Sequence, residues 1–320
     1  PEMKIYTSLA EIPTDFGPSA VTIGKFDGVH IGHHRMIDLL LADAREASLM
    51  PTVLTFDRNP LSLLAPEACP PALISNDQKL ELLERSGVAA TVMLTFDRAF
   101  SQQAPEEFIE RVLVRTLRAR IVFAGPDFRF GRGGKGTVAL LDEVGRRDGF
   151  EVRHLPIVEH EGRRISSTWV RELLAEGRVR EAAALLGRRP AVRGVVVRGA
   201  QRGRMLGFPT ANLAAESEGL VPADGVYAAW ATVSGDRYPA AVSIGNNPTF
   251  EGVPARQVEA HLLAADYGPL DIDLYGRTME LDFVDRIRGM EKFDGADALI
   301  ARITEDVEDT RRILVTDPAS

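Results

Sequence analysis

At 320 residues the chain exceeds what one hydrophobic core usually organises, so two domains are expected. Its 45% hydrophobic and 26% charged residues are those of an ordinary soluble globular protein, and no segment approaches the run of about 20 apolar residues that crosses a membrane. A net charge of −8 argues against the broad basic surface that nucleic-acid backbones require, whereas small phosphorylated ligands need only local positive sites.

The opening Pro1-Glu2-Met3-Lys4-Ile5-Tyr6 has no basic start followed by an apolar block, and no secretion signal is expected. The single cysteine, Cys69, cannot close an intrachain disulfide, which suits a reducing cytoplasm, and it gives no metal site. Oligomeric state is left open.

In chain order, strand-like 20–26 precedes a helical pattern over 35–47, and 52–56 precedes 77–86. The alternation continues with 90–95 and 106–117, then 120–124 and 138–147. Strands alternating with helices require crossover connections, so this half is α/β with a mostly parallel sheet. A strand-like 151–156 leads to helices over 168–175 and 179–186. Leu186-Gly187-Arg188-Arg189-Pro190 then combines glycine, proline and charge as a helix stop and linker do, dividing the chain into domains 1–186 and 187–320. Beyond it, runs at 192–197, 225–233, 240–244, 258–263 and 278–284 without intervening helices predict a small antiparallel barrel or sandwich, closed by a helix over 296–314.

The strongest local signal is Gly24-Lys25-Phe26-Asp27-Gly28-Val29-His30-Ile31-Gly32-His33, between the first strand and the first helix. Free N–H groups at a helix start favour phosphate, the glycines allow close approach of a nucleotide, and the two imidazoles add donors. Metal ligation and plain helix capping are the competing readings; zinc would want three or four ligands, and no third with matching spacing stands nearby. Gly125-Pro126-Asp127-Phe128-Arg129-Phe130-Gly131 follows another parallel strand, and Ile165-Ser166-Ser167-Thr168-Trp169-Val170-Arg171 opens a helix with hydroxyls and a cation suited to triphosphate oxygens. Taken alone, Ser-Ser-Thr is more often just a helix cap. Gly131-Arg132-Gly133-Gly134-Lys135-Gly136 imitates a dinucleotide or P-loop fingerprint, but Gly136 stands where a P-loop needs Ser or Thr. A mobile glycine-rich loop is expected there.

In the second half, Arg202-Gly203-Arg204-Met205-Leu206-Gly207-Phe208-Pro209-Thr210-Ala211-Asn212-Leu213 reads as a glycine-rich flap leading to an extended segment. Thr210 and Asn212 point to one side and offer neutral oxygens to Mg²⁺ carried with nucleotide phosphates. Glu259, in Gln257-Val258-Glu259-Ala260-His261, can take the proton of a hydroxyl nucleophile, or is an exposed strand glutamate.

The three N-terminal motifs, in this order, resemble the adenylyltransferase half of the bacterial bifunctional riboflavin kinase/FMN adenylyltransferase family. The resemblance implies a Rossmann-like nucleotidylyltransferase domain. Nucleotide would be met by Gly24, Phe26, Asp27, His30 and His33 and by Ser166, Ser167, Thr168 and Arg171, with His30 and His33 on ATP phosphates. Asn59 and Asp127 would adjoin FMN. The pattern is broken at Thr55-Phe56-Asp57-Arg58-Asn59-Pro60, where members usually read Thr-Phe-x-Pro-His-Pro, and at Lys25, where a neutral residue is more usual. The C-terminal half, through Gly207-Phe208-Pro209-Thr210-Ala211-Asn212, Gly225-Val226-Tyr227, Ser243-Ile244-Gly245-Asn246-Asn247-Pro248-Thr249, Val258-Glu259, Leu274-Tyr275-Gly276 and Arg288-Gly289-Met290-Glu291-Lys292-Phe293, is similar to the riboflavin kinase module. That module is a six-stranded barrel with a terminal helix. Glu259 would be its catalytic base and Thr210 and Asn212 its Mg²⁺·ATP ligands. Gly203, Gly207, Pro209, Asn247, Arg288 and Glu291 would complete the nucleotide and flavin sites. ATP, Mg²⁺, riboflavin, FMN and FAD are the implied ligands, with neither nucleic acid nor membrane as partner. Two alternatives remain: a kinase with a weak adenylyltransferase domain, or a flavin- or RNA-binding regulator reusing both folds.

Overall fold

Six short runs become the strands of one parallel sheet: β1 (Lys4–Tyr6), β2 (Ser19–Ile23), β3 (Met50–Phe56), β4 (Ala90–Leu94), β5 (Ala119–Ala124) and β6 (Glu151–His154). They lie in the order β1-β4-β3-β2-β5-β6. Every described pairing in the sheet is parallel. The computed structural model describes residues 2–199, 206–246 and 256–317, so Gly203 and Asn247 lie outside the described residues. The chain folds as two compact units, Pro1–Ser166 and Ser167–Ser320.

Strand alternation explains why both faces of the sheet are buried. Ala20, Val53, Ile121 and Phe123 face one core with Ile37 and Leu40 of α1 (Ile31–Glu46); α2 (Leu61–Leu64) is a single turn, and α3 (Asn76–Arg85) adds Leu83 to that core. Their neighbours Val21, Leu54, Val122 and Ala124 face the opposite core. There α4 (Arg98–Ser101) leads to α5 (Pro105–Phe108), which runs into a π-wound segment, Ile109–Thr116, in place of the regular helix expected over 106–117. That segment and α6 (Val138–Asp148) bury Ile109, Val112, Leu113, Leu141 and Val144. Trimming such a fully buried leucine to alanine costs about 2–5 kcal/mol.

A hairpin of β7 (Glu159–His160) and β8 (Arg163–Arg164) ends the first unit. The second opens with α7 (Ser167–Ala175) and α8 (Val179–Leu186), the latter stopped by left-handed Gly187. Six strands follow: β9 (Ala191–Val197), β10 (Ala211–Leu213), β11 (Gly225–Val233), β12 (Asp236–Asn246), β13 (Arg256–Leu262) and β14 (Thr278–Arg288). They close an antiparallel barrel in the order β10-β13-β12-β11-β14-β9. Short β10 closes the ring by pairing with β9 and β13. The last helix, α9 (Ala296–Val315), buries Leu314 against Ala228 and Val284 of the barrel wall.

Candidate active sites

In the first unit β2 is flanked by β3 on one side and β5 on the other, so the strand order reverses at β2. The crevice beyond the carboxyl ends of strands at such a switch point is where parallel sheets hold ligands. Two of the three N-terminal motifs follow strands at this edge, one after β2 and one after β5. Between β2 and α1 the backbone takes left-handed conformations at Phe26 (φ 53°), Gly28 (φ 86°) and Val29 (φ 42°). Phe26 and Val29 are wholly buried in the core beneath, and that packing holds two apolar residues in an unfavourable conformation. Only the main chain of Phe26 is therefore left to meet a ligand.

The loop delivers His30 to the N-cap of α1 and His33 to its first turn. Their rings stack with centroids 3.7 Å apart, and the His30 N–H donates to His33 Nδ1 at 3.1 Å. With Nδ1 accepting, any donation from the His33 ring to an anion comes from Nε2. Glycine at position 32 leaves the stack in place, because a Cβ there would lie 2.8 Å from His30 Cε1 and force that ring to shift. The two histidines are thus capping groups and candidate anion donors together, and among the described residues no cluster of three His, Cys, Asp or Glu side chains could hold a metal.

The surrounding loops are tied by side chain to main chain bonds. Asp27 Oδ1 accepts from Leu73 N at 2.9 Å, and Asn59 Oδ1 accepts from Leu61 N at 3.0 Å, capping α2. Buried Lys79 donates to the carbonyls of Lys25 and Phe56 at 3.0 and 3.2 Å, joining the ends of β2 and β3. Burial pushes the Lys79 ammonium below the usual lysine range, and the charges of Asp27 and Asp57 offset part of that. Asp127 pairs with Arg164 at 2.9 Å, so the β8 strand that delivers Ser166 is linked to the loop after β5. Ser166 ends the first unit, while Ser167 and Thr168 open α7 in the second and Arg171 stands one turn further along it. The glycine-rich imitation of a P-loop folds back on itself in a turn. Phe130 and Gly136 exchange main-chain bonds of 3.2 and 2.8 Å, and Arg132 N donates to Gln103 O at 2.8 Å.

In the second unit, barrel register assembles the site. Asn212 pairs with Glu259, Glu259 with Ser243, Ser243 with Val226, and Val226 with Arg288. Residues opposite one another share a face, so this row places the amide, the carboxylate and the guanidinium along one level of the wall. Thr210 lines two cavities. One, of about 440 Å³, also has Gly199, Pro209, Asn212, Asp271 and Tyr275 on its wall. The other, of about 230 Å³ and mostly apolar, is lined by Glu259, Arg288, Glu291, Phe293 and His261. Thr210 therefore stands between a polar chamber holding Asn212 and an apolar one holding Glu259. Gly207, exposed and left-handed at φ 86°, begins the approach to Pro209 and Thr210.

Several contributors carried no signal in the sequence. A Cβ at Gly199 would fall 2.1 Å from Asn212 Nδ2, so only glycine lets β10 and the end of β9 close over the amide. His261 Nδ1 lies 3.0 Å from the Pro209 carbonyl, holding the chain just before Thr210, and burial lowers its pKa. Arg288 is bound through two nitrogens to Asp306 of α9, at 2.8 and 2.7 Å, and Arg302 reaches both Asp306 and Glu291. Asp306 is 3% exposed, so this is a buried, fully directed pair, and losing one partner costs about 3–5 kcal/mol.

Comparison with known proteins places both units. The FAD synthetase family model matches residues 12–169 and the riboflavin kinase model residues 186–314. The bifunctional riboflavin kinase/FMN adenylyltransferase of Escherichia coli K12 is 36% identical, over 93% of this chain and 94% of that protein. The Bacillus subtilis enzyme of the same name is 31% identical over 92% of each. A crystal structure described as a macrolide-efflux protein from Streptococcus pneumoniae superimposes with a TM-score of 0.84 at 32% identity, over 97% of this chain and 99% of that one. Among the described residues, no helix is long and apolar enough to cross a membrane.

The matched modules, one on a switch-point sheet and one on a barrel with amide and carboxylate in register, make this a two-module transferase that uses ATP as co-substrate. The chain belongs to the bifunctional riboflavin kinase/FMN adenylyltransferase family, and is an enzyme of FAD biosynthesis.

Proposed function

We propose that the barrel phosphorylates riboflavin and that the parallel-sheet unit then adenylylates the FMN formed, with the functional boundary at residues 186/187. The pairing of Asn212 with Glu259 across β10 and β13 carries this reading. In the barrel, Glu259 takes the proton of the riboflavin hydroxyl as its oxygen attacks the ATP γ-phosphorus, and ADP leaves. Thr210 and Asn212 are neutral oxygen donors beside the polar chamber, a set that fits Mg²⁺ shared with nucleotide phosphates and is too small to hold it alone. Bound there, the ion would neutralise charge on those phosphates. Gly203, Gly207, Pro209 and Asn247 belong to the nucleotide and flavin approach, and Arg288 and Glu291 to the wall of the flavin chamber.

In the parallel-sheet unit the nucleophile is a phosphate oxygen, already ionised, so no base is needed. That oxygen attacks the ATP α-phosphorus, the bond to the bridging oxygen breaks, and pyrophosphate leaves. His30 and His33 donate to ATP phosphates, with Gly24, Asp27 and the main chain of Phe26 shaping the loop. Ser166, Ser167, Thr168 and Arg171 complete the triphosphate set, and Asn59 and Asp127 adjoin FMN. The cytoplasm, where ATP is plentiful, is the proposed location.

A chromatographic time course of riboflavin, FMN and FAD, with ATP and Mg²⁺ supplied, tests this. FMN rising first and FAD after it is expected. FMN accumulating without FAD would retain only the kinase.

A further inference from the structure

Two side chains at which this sequence departs from its family, Lys25 and Arg58, line one cavity of about 270 Å³ in the first unit, with Asp27, Asp57, Asn59 and Lys79. Lys25 follows β2 and Arg58 follows β3, so the cavity lies at the carboxyl ends of these two neighbouring strands. Lys25 adjoins Phe26, whose ring lies 5.0 Å from that of His33.

The charges there are unequally engaged. Asp27 and Asp57 each turn Oδ1 to a main-chain N–H, of Leu73 and of Phe96, both at 2.9 Å. Lys79 is buried and bonded to two carbonyls. Arg58 uses Nε on the Phe96 carbonyl at 2.7 Å. Among the described residues, neither its terminal nitrogens nor the Lys25 ammonium has a hydrogen-bond or ion-pair partner. Two exposed cations therefore face a cavity whose carboxylates are partly engaged by the fold.

We infer that Lys25 and Arg58 bind the phosphate of the flavin nucleotide and thereby select FMN over riboflavin in the adenylyl-transfer unit. The inference rests on the reading of this unit as an FMN adenylyltransferase. A phosphate monoester carries close to two negative charges at neutral pH, matched by the two cations, and riboflavin offers them nothing. Arg58 presents a planar fork and Lys25 a point charge, which together fix both position and orientation of the phosphate.

The test is steady-state FMN adenylylation by the full chain, varying FMN at saturating ATP and then ATP at saturating FMN. Thermal unfolding of the same preparations reports that each variant is folded. Lys25→Ala and Arg58→Ala are each expected to raise KM for FMN about tenfold and to leave KM for ATP within about twofold, the loss typical of one charge-assisted bond. Lys25→Arg should recover most of the loss. Because the Lys25 side chain makes no bond within the fold, its variant decides the matter if Arg58→Ala is unstable. An unchanged KM for FMN in Lys25→Ala overturns the inference. So does a parallel rise in KM for ATP, which would assign the cations to the triphosphate. Wild-type protein that makes no FAD from FMN would overturn the reading of the unit, and the inference with it.

Discussion

The two units solve the same electrostatic problem, attack on a phosphorus atom of ATP, with different parts because their nucleophiles differ. The first places a strained loop and two stacked imidazoles at a helix start, and no carboxylate base is needed for a phosphate nucleophile. The second brings a carboxylate into register with an amide on the neighbouring strand, the arrangement proposed to take the proton that a hydroxyl must lose as it attacks. The contrast teaches that the protonation state of the nucleophile decides which fold feature matters: a helix terminus in one unit, strand register in the other.

The largest expected effect comes from removing the base. Glu259→Ala should lower riboflavin phosphorylation about a thousandfold, while FMN adenylylation survives in the same preparation. The converse change, His30→Ala with His33→Ala, should lower adenylylation by a few hundredfold at most and spare the kinase, since the lost groups are donors and not bases. Equal losses in both assays from either change would erase the distinction between the units.

Gly199→Ala sharpens the kinase half. Its Cβ would displace Asn212, and a shift of that size should cost about a hundredfold or less in kinase turnover, with little change in melting temperature. Wild-type turnover in this variant would mean that the amide position does not matter. The smallest effect concerns His261. Its folded pKa lies below the ordinary 6.5, so the unfolded chain takes up a proton that the folded barrel resists. The group therefore destabilises the fold increasingly as pH falls below 6.5 through the folded value. Thermal unfolding of the wild type should decline more steeply with acidification than that of His261→Gln; parallel profiles would contradict this.

What was legible in the sequence were features written in consecutive residues. The element around His30 and His33, the alternation of strand and helix, and the helix stop at Gly187 all follow from local spacing. The first strand nevertheless ends at Ile23, earlier than expected, because Phe26 adopts a left-handed turn that no apolar residue advertises. Strand β10 spans only three residues, too few for a periodic signal, and exists because β9 and β13 leave a gap for it. The π-wound segment after α5 has ordinary helical composition. Asp306, Gly199, Lys79 and Arg164 act through partners far away in the chain, and their roles depend on barrel closure or loop packing. Lys25 and Arg58 stood out as departures, but only their shared cavity gives them a common purpose.

The most direct test of two independent sites is a mixing experiment. Glu259→Ala alone and the His30→Ala, His33→Ala double variant alone are each given riboflavin, ATP and Mg²⁺, and then the two proteins are combined. Each alone should make FAD at least about a hundredfold more slowly than the wild type, the double variant should accumulate FMN, and the mixture should convert riboflavin through FMN to FAD. A mixture that makes no FAD, while each protein remains folded, would contradict the assignment of the two reactions to separate sites.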